Sequence, residues 1–292
     1  MTPEIERRIA ALGADHESGA STILVEVMAL LREALSSDQP IVPIARALCR
    51  AQPSMASVWN AALVACAADG SARLAQFAQR VERAPKAIAR YAMECFSEAP
   101  RLSVVTLSNS GSVTHALAAI SHVSSLRVAC SESRPALEGR RLAAQLASLE
   151  IPVTCYADAA IGHALNDGDA VIVGADAIAS EWFLNKVGTR MLAAAASQRG
   201  LPVYVVASRD KFVSAVLAER LVVREEASSE IWSEPPAGVT VRNPYFERTP
   251  LDPVTAVISD IGVLGAGMIP DVSAARHDND TLRILRERFP IA

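Results

Sequence analysis

The chain has 292 residues, enough for one large domain or two ordinary ones and ample for a buried core. Lys+Arg 28 against Asp+Glu 32 leaves a formal charge of −4, and no segment gathers the positive charge that a phosphate backbone demands, which excludes direct nucleic-acid binding. Apolar residues reach 51%, yet Arg, Glu or Asp interrupts every apolar stretch before the roughly 20 residues of a membrane span, so no membrane contact is expected.

Met1-Thr2-Pro3-Glu4-Ile5-Glu6-Arg7-Arg8 lacks the basic-then-apolar layout of a signal peptide, and a soluble, cytoplasmic protein is the expectation. Cys49, Cys66, Cys95, Cys130 and Cys155 are odd in number, contain no C-x-x-C pair and lie in mostly apolar surroundings, which predicts reduced, packed thiols. The five histidines show no ligand spacing. Neither metal nor other cofactor is expected.

Up to about residue 98 the pattern is helical and alanine-rich. Thr2 caps and Pro3 opens a first helix with Ile5, Ile9 and Leu12 on one face. Further stripes follow at Leu24/Val27/Leu31/Leu35, Ile44/Leu48, Val58/Ala62/Cys66, Leu74/Phe77/Val81 and Ile88/Ala92/Cys95, punctuated by Pro40, Pro53 and Asp69-Gly70. After Pro100 short β-branched runs at 103–107, 126–131, 152–156, 170–174, 202–207 and 254–259 alternate with helix-length segments at 112–121, 137–149, 158–164 and 185–198. Nearly all-apolar strands joined by helices predict a doubly wound α/β domain with a mostly parallel sheet. The stretch 224–241, with Glu225, Glu226, Pro235, Pro236 and Gly238, reads as an irregular excursion close to the pocket.

Ligands of such sheets bind at the carboxyl ends of the strands, where helix N-termini present unpaired N–H groups. Three strand ends are polar. Thr106-Leu107-Ser108-Asn109-Ser110-Gly111-Ser112 is a hydroxyl-rich turn, fit either to cap a helix or to hold a phosphate or sugar. Val171-Ile172-Val173-Gly174-Ala175-Asp176 ends an apolar strand on a carboxylate, and Asn185-Lys186-Val187-Gly188-Thr189 follows as a polar pair opening the next helix. Lys186 would hold Asp176 ionised, whereas burial would raise its pKa and suit it to move protons. Ser131-Glu132-Ser133-Arg134-Pro135 presents Arg134 as a fork for phosphate or carboxylate, with Arg140 and Arg141 read as surface groups. Asp158 and Asp260, each just past a strand, are read as caps or orienting groups.

The runs Ser131-Glu132-Ser133-Arg134-Pro135…Glu138-Gly139-Arg140, Val173-Gly174-Ala175-Asp176, Asn185-Lys186-Val187-Gly188-Thr189, Lys211-Phe212 and Asn243-Pro244…Phe246…Thr249-Pro250 together resemble the translation initiation factor 2B alpha/beta/delta family. That family also contains methylthioribose-1-phosphate isomerase and ribose-1,5-bisphosphate isomerase, and the match runs in order over about residues 100–270. The resemblance implies an N-terminal helical domain, 1–98, and a Rossmann-like α/β domain, 99–292. It also implies a site for a small phosphorylated sugar or nucleotide between them, and a homodimer formed through the C-terminal domain. In the isomerases a cysteine in the first strand-end turn and the aspartate of Gly-Ala-Asp carry the reaction; the matching positions are Ser108 and Asp176. Ser110, Asn185 and Lys186 match substrate-binding positions, and Asn109 and Arg134 join them as expected contacts.

Three positions depart from the isomerase pattern. Serine replaces the cysteine at 108, and a hydroxyl is a far weaker acid than a thiol. Ser18-Gly19-Ala20 and Gln52-Pro53-Ser54-Met55 stand where phosphate-gripping arginines are expected, leaving Arg50 as the one substitute. Ser180-Glu181 replaces Asn-Gly. Two functions follow: an aldose–ketose isomerase on a ribose-1-phosphate-type substrate with Asp176 as acid/base, or a non-catalytic regulatory binder similar to the alpha subunit, which also lacks the cysteine.

Overall fold

The computed structural model describes residues 1–15, 18–37 and 39–290. Five helices come first: α1 (Pro3–Ala14), α2 (Ala20–Ser36), α3 (Ile41–Ala51), α4 (Ala56–Ala65) and α5 (Gly70–Phe96). Thr2 caps α1, its Oγ1 accepting from Ile5 N–H at 3.4 Å, as the Thr-Pro opening predicts. Gly70 starts α5 because a Cβ there would stand 2.2 Å from the Ala65 carbonyl oxygen.

The chain then alternates: β1 (Arg101–Thr106), α6 (Gly111–Ile120), β2 (Ser125–Ser131), α7 (Glu138–Ser148), β3 (Val153–Tyr156), a 3₁₀ segment Asp158–Asn166, and β4 (Ala170–Gly174). Next come β5 (Ala177–Ile178), β6 (Trp182–Lys186), α8 (Thr189–Gln198), β7 (Val203–Val206), a 3₁₀ turn Arg209–Lys211 and α9 (Ala215–Ala218). The last elements are β8 (Phe246–Pro250), β9 (Ala256–Ser259), β10 (Gly262–Gly265), α10 (Ile269–Ala274) and α11 (Asn279–Arg288).

The main sheet has seven strands in the order β10-β9-β7-β4-β1-β2-β3, parallel except for the β9–β10 hairpin. Both faces are covered, which is why β4 is buried at all five residues. Ile172 packs into a core with Ile88 of α5, Leu117 of α6 and Leu146 of α7, while Val171 and Val173 on the opposite face pack with Leu192 of α8, Leu165 and Ile269. All six strands expected from the β-branched runs are present, with every end within two residues and 170–174 matched at both ends.

A third core joins the helical layer to the rest. Val27, Leu31, Ile44 and Phe77 pack with Leu184 of β6, Leu217 of α9, and Ile284, Leu285 and Phe289 at the end of the chain. The C-terminal helix thus returns to the first half of the sequence.

Two expectations are corrected. Asn185 and Lys186 do not open a helix: they end β6, which pairs antiparallel with β5 and β8 in a second, three-stranded sheet. Trp182-Phe183-Leu184 favour a strand, and Gly188, with φ 100°, turns the chain so that helix begins at Thr189. Nor are all cysteines packed: Cys155 on edge strand β3 is exposed. The excursion 224–241 is irregular, as expected, and is tied down by buried Asn243, whose Nδ2 donates to Ala227 O and Glu230 Oε2 at 2.8 Å each. No helix among the described residues is long and apolar enough to cross a membrane.

Candidate functional site

Strand β1 has β2 on one side and β4 on the other, so the sequence order of the sheet reverses between β1 and β4. Crevices at such a switch point are the usual ligand sites of open α/β sheets. The carboxyl ends of these strands carry Ser108-Asn109-Ser110 and Ala175-Asp176, and both turns line one cavity of about 100 Å³. Ser18, Arg141 and Tyr245 also line a neighbouring, wider cavity of about 480 Å³.

Asp176 is held at its backbone, its N–H donating to Leu184 O at 2.7 Å and its carbonyl accepting from Ala56 N–H at 3.0 Å. These bonds join it to both β6 and α4. Burial pushes its carboxyl pKa up, and the cation that opposes this is Lys211, not Lys186. Lys211 Nζ lies 3.8 Å from Asp176 Oδ1 and donates to the neighbouring Ala175 carbonyl at 2.5 Å.

Lys186 is spent elsewhere. Its buried Nζ lies 2.8 Å from Glu138 Oε1, an ion pair without hydrogen-bond alignment, and 4.3 Å from the centre of the Tyr245 ring. Ser108 Oγ donates to the same Glu138 Oε1 at 3.4 Å, while Glu138 Oε2 is buried with no hydrogen-bond partner. The result is a hydroxyl–carboxylate–ammonium chain along one wall of the cavity. Gly139 makes it possible, because a Cβ there would sit 1.8 Å from Ser131 O; only glycine lets α7 start against the end of β2 and bring Glu138 inward.

The turns are strained. Ser108, Ser133 and Leu137 all adopt left-handed backbone, with φ 66°, 62° and 57°. Such residues cost of order 1–3 kcal/mol each and persist where the surroundings fix them. Here Ser108 N–H donates to Ser133 Oγ at 2.8 Å, and Asp158 accepts from the N–H groups of Ser133 and Arg134 at 2.7 Å each. Asp158 is therefore an orienting group, and Asp260 is another, accepting from Arg209 N–H and Nε at 2.6 Å.

The opposite rim comes from the helical layer. Ser18, Gly19, Ala20 and Ser21, at the start of α2, and Ser110 and Gly111, at the start of α6, face the same cavity. Two helix N-termini with Arg141 and Lys211 nearby make an anion-binding environment.

Of the residues picked out in the sequence, Ser108, Asn109, Ser110, Asp176 and Asn185 line the cavity, and Lys186 stands behind it on Glu138. Arg134 does not line it: the residue is exposed and its backbone N–H is tied to Asp158. Arg141, read as a surface group, is exposed and also lines the rim of the cavity, one helical turn into α7 on the same side as Glu138. Arg50 lines a separate cavity with Trp59 and Phe289 and cannot replace the missing arginines. Met55 is the residue of the 52–55 turn that faces the site, while Gln52 donates to Leu12 O at 2.6 Å. Lys211 and Glu138 carried no role in the sequence reading. Lys211 was detectable, because it lies in the polar turn after strand β7, the same kind of position as Asp176.

The chain resembles known proteins in both sequence and shape. A methylthioribose-1-phosphate isomerase of Rhodopirellula baltica is 38% identical over 196 residues, 60% of this chain and 54% of that protein. A ribose 1,5-bisphosphate isomerase of Archaeoglobus fulgidus is 38% identical over 146 residues, 48% of this chain and 46% of that protein. The chain thus spans about half the length of these relatives. The translation initiation factor eIF-2B of Pyrococcus horikoshii OT3 superposes with a TM-score of 0.77 at 23% identity, covering 92% of this chain and 98% of that one. The 5-methylthioribose 1-phosphate isomerase of the same organism superposes with a TM-score of 0.66 at 23% identity, covering 92% and 86%. At such identities the superpositions show a shared fold. Residues 11–266 match the sequence profile of the Initiation factor 2 subunit family, and the chain belongs to that family.

Proposed function

We propose that the protein is a sugar-phosphate aldose–ketose isomerase acting on a ribose-1-phosphate-type substrate, with Asp176 as its acid/base. The observation that carries this reading is a buried carboxyl of raised pKa that lines one small cavity with Ser108 and has Lys211 Nζ 3.8 Å from its Oδ1. The names of the sequence relatives support the substrate class.

An aldose whose C1 oxygen carries phosphate has no free hemiacetal hydroxyl. Its ring opens only if an acid protonates the ring oxygen as the bond from C1 to that oxygen breaks. Hydrogen then passes with its electron pair from C2 to C1, and the C2 hydroxyl gives up its proton to leave a ketone. Asp176, kept protonated more readily than an ordinary carboxyl, is placed to supply the first proton. The Ser108 hydroxyl backed by Glu138, whose Oε2 has no other partner, is placed to take the second. Proton return between the two groups restores the starting state. The N-termini of α2 and α6, with Arg141, would hold the phosphate in place of the arginines absent from the 18–20 and 52–55 turns.

The test is incubation with a panel of pentose 1-phosphates, with ketose product followed by NMR. Asp176→Asn is expected to lose about 10²–10⁴-fold in turnover. Ser108→Cys restores the thiol of the isomerase pattern and is expected to raise turnover. Unchanged turnover in Asp176→Asn removes it from the catalytic role. Serine at 108 also favours a second reading, a regulatory sugar-phosphate or nucleotide binder; micromolar binding without turnover in both wild type and Ser108→Cys selects it. The resemblance further supports a domain boundary near residue 98 and a homodimer through 99–292, which sedimentation of the full chain would test.

A further inference from the structure

Away from Asp176, helices α4 and α5 and the link between α10 and α11 enclose a separate cavity of about 320 Å³. Its charged lining is Arg73, Arg80, Arg276 and Asp278. Arg73 is already committed, with Nε 2.7 Å from Asp69 Oδ1 and Nη1 3.4 Å from Asp278 Oδ2. Among the described residues, Arg80 and Arg276 form no ion pair. Arg276 Nε is shut off from solvent and has no hydrogen-bond partner at all.

The nearby carboxylates do not remove this imbalance. Asp260 is held by Arg209 at 2.6 Å, and Asp210 acts on Arg276 only at longer range. Burial lowers both guanidinium pKa values, Arg276 to about 10; Asp210 and Asp260 pull each back up, while Arg209 repels both and Arg80 repels Arg276. His277 adds no charge to the wall: it is buried between Asn60 and Ser214, and burial pulls its pKa down to about 3. A buried guanidinium with no ion-pair partner in contact is costly, and Arg276 with the half-buried Arg80, from different elements around one cavity, makes a cationic pair suited to a tetrahedral oxyanion. Gln76 and Thr281, also in the lining, bring neutral hydrogen-bonding groups.

We propose that this cavity is a second anion site, separate from the pocket at Asp176, that takes inorganic phosphate or a small phosphate monoester between Arg80 and Arg276. The test is arginine labelling of the full chain with phenylglyoxal, read peptide by peptide by mass spectrometry. Inorganic phosphate, ribose 5-phosphate and chloride at matched ionic strength are the three arms. At about tenfold excess over its Kd, a bound phosphate slows labelling of Arg80 and Arg276 about tenfold, and chloride does not. The arm that protects at the lower concentration tells free phosphate from the monoester.

Arg80→Gln, at a half-buried position that carries no ion pair, should raise the phosphate concentration needed to protect Arg276 about tenfold. Arg141→Gln, in the other pocket, should leave that protection unchanged. Labelling that ignores phosphate, or that chloride slows equally, overturns the proposal. Loss of Arg276 protection in Arg141→Gln overturns it as well, since the anion would then be acting from the Asp176 pocket.

Discussion

Replacing Lys211 with methionine isolates what sets the state of Asp176. The wild-type ammonium does two things: it donates to Ala175 O at 2.5 Å, and it stands 3.8 Å from Asp176 Oδ1. Losing the first leaves a buried carbonyl unpaired, worth about 1–3 kcal/mol at any pH. Losing the second matters only when Asp176 is ionised. At 3.8 Å and an effective dielectric constant of about 20, that attraction is about 4 kcal/mol, an upper bound for a site open on one side. Because burial already raises the Asp176 pKa and Lys211 lowers it, Lys211→Met moves it further up. The sign for stability follows. A carboxyl whose folded pKa lies above its unfolded value keeps its proton in the native state after the unfolded state has lost it, so stability falls as pH rises through that interval. In Lys211→Met the interval extends to higher pH. Thermal unfolding from pH 4 to 8 should therefore show a gap between wild type and variant that in acid reflects the lost carbonyl bond alone and widens with pH. NMR titration of a ¹³C-labelled Asp176 carboxyl should show a later midpoint in the variant. A gap independent of pH, or an earlier midpoint, refutes the assignment of Lys211 as the controlling cation.

Two further predictions test the scaffold. In Gly174→Ala the new Cβ would lie 2.7 Å from Ser110 Oγ and 2.8 Å from Ser110 Cβ, so Ser110 must move; a loss of about 1–3 kcal/mol in chemical denaturation is expected, with weaker binding of sugar phosphate. Gly162→Ala, where nothing lies within 4 Å, is the control and should change neither. His277 is buried neutral, Nε2–H donating to Asn60 Oδ1 at 2.6 Å and Nδ1 accepting from Ser214 Oγ at 2.8 Å, an arrangement fixed because Asn60 Nδ2 is used on Asp210 O and Phe212 O. Its folded pKa of about 3 lies below the unfolded value, so stability is lost as pH falls from about 6.5 toward 3. His277→Gln should flatten that acid limb, and an unchanged slope would remove His277 as its cause.

The sequence alone determined the alternation of buried strands and helices after Pro100, because a strand covered on both faces must be almost wholly apolar and its neighbours must have helical period. It also determined that Ser108, Ser110 and Asp176 would meet, since strand carboxyl ends converge at the edge of a parallel sheet wherever the strands lie in order. It could not assign partners. Lys186 stands ten residues after Asp176 and Lys211 stands thirty-five after it, yet the antiparallel turn of β6 points the nearer lysine at Glu138 while the distant one returns along β7. Arg134 and Arg141 exchange roles for the same kind of reason: the backbone at 134 is tied to Asp158 and its side chain lies outside the cavity lining, whereas one turn of α7 sets the exposed Arg141 at the cavity rim on the side of Glu138. Chain distance ranks such candidates poorly, because ion pairing depends on which strand end faces which, and that is decided by sheet order and helix phase only when the whole chain is folded.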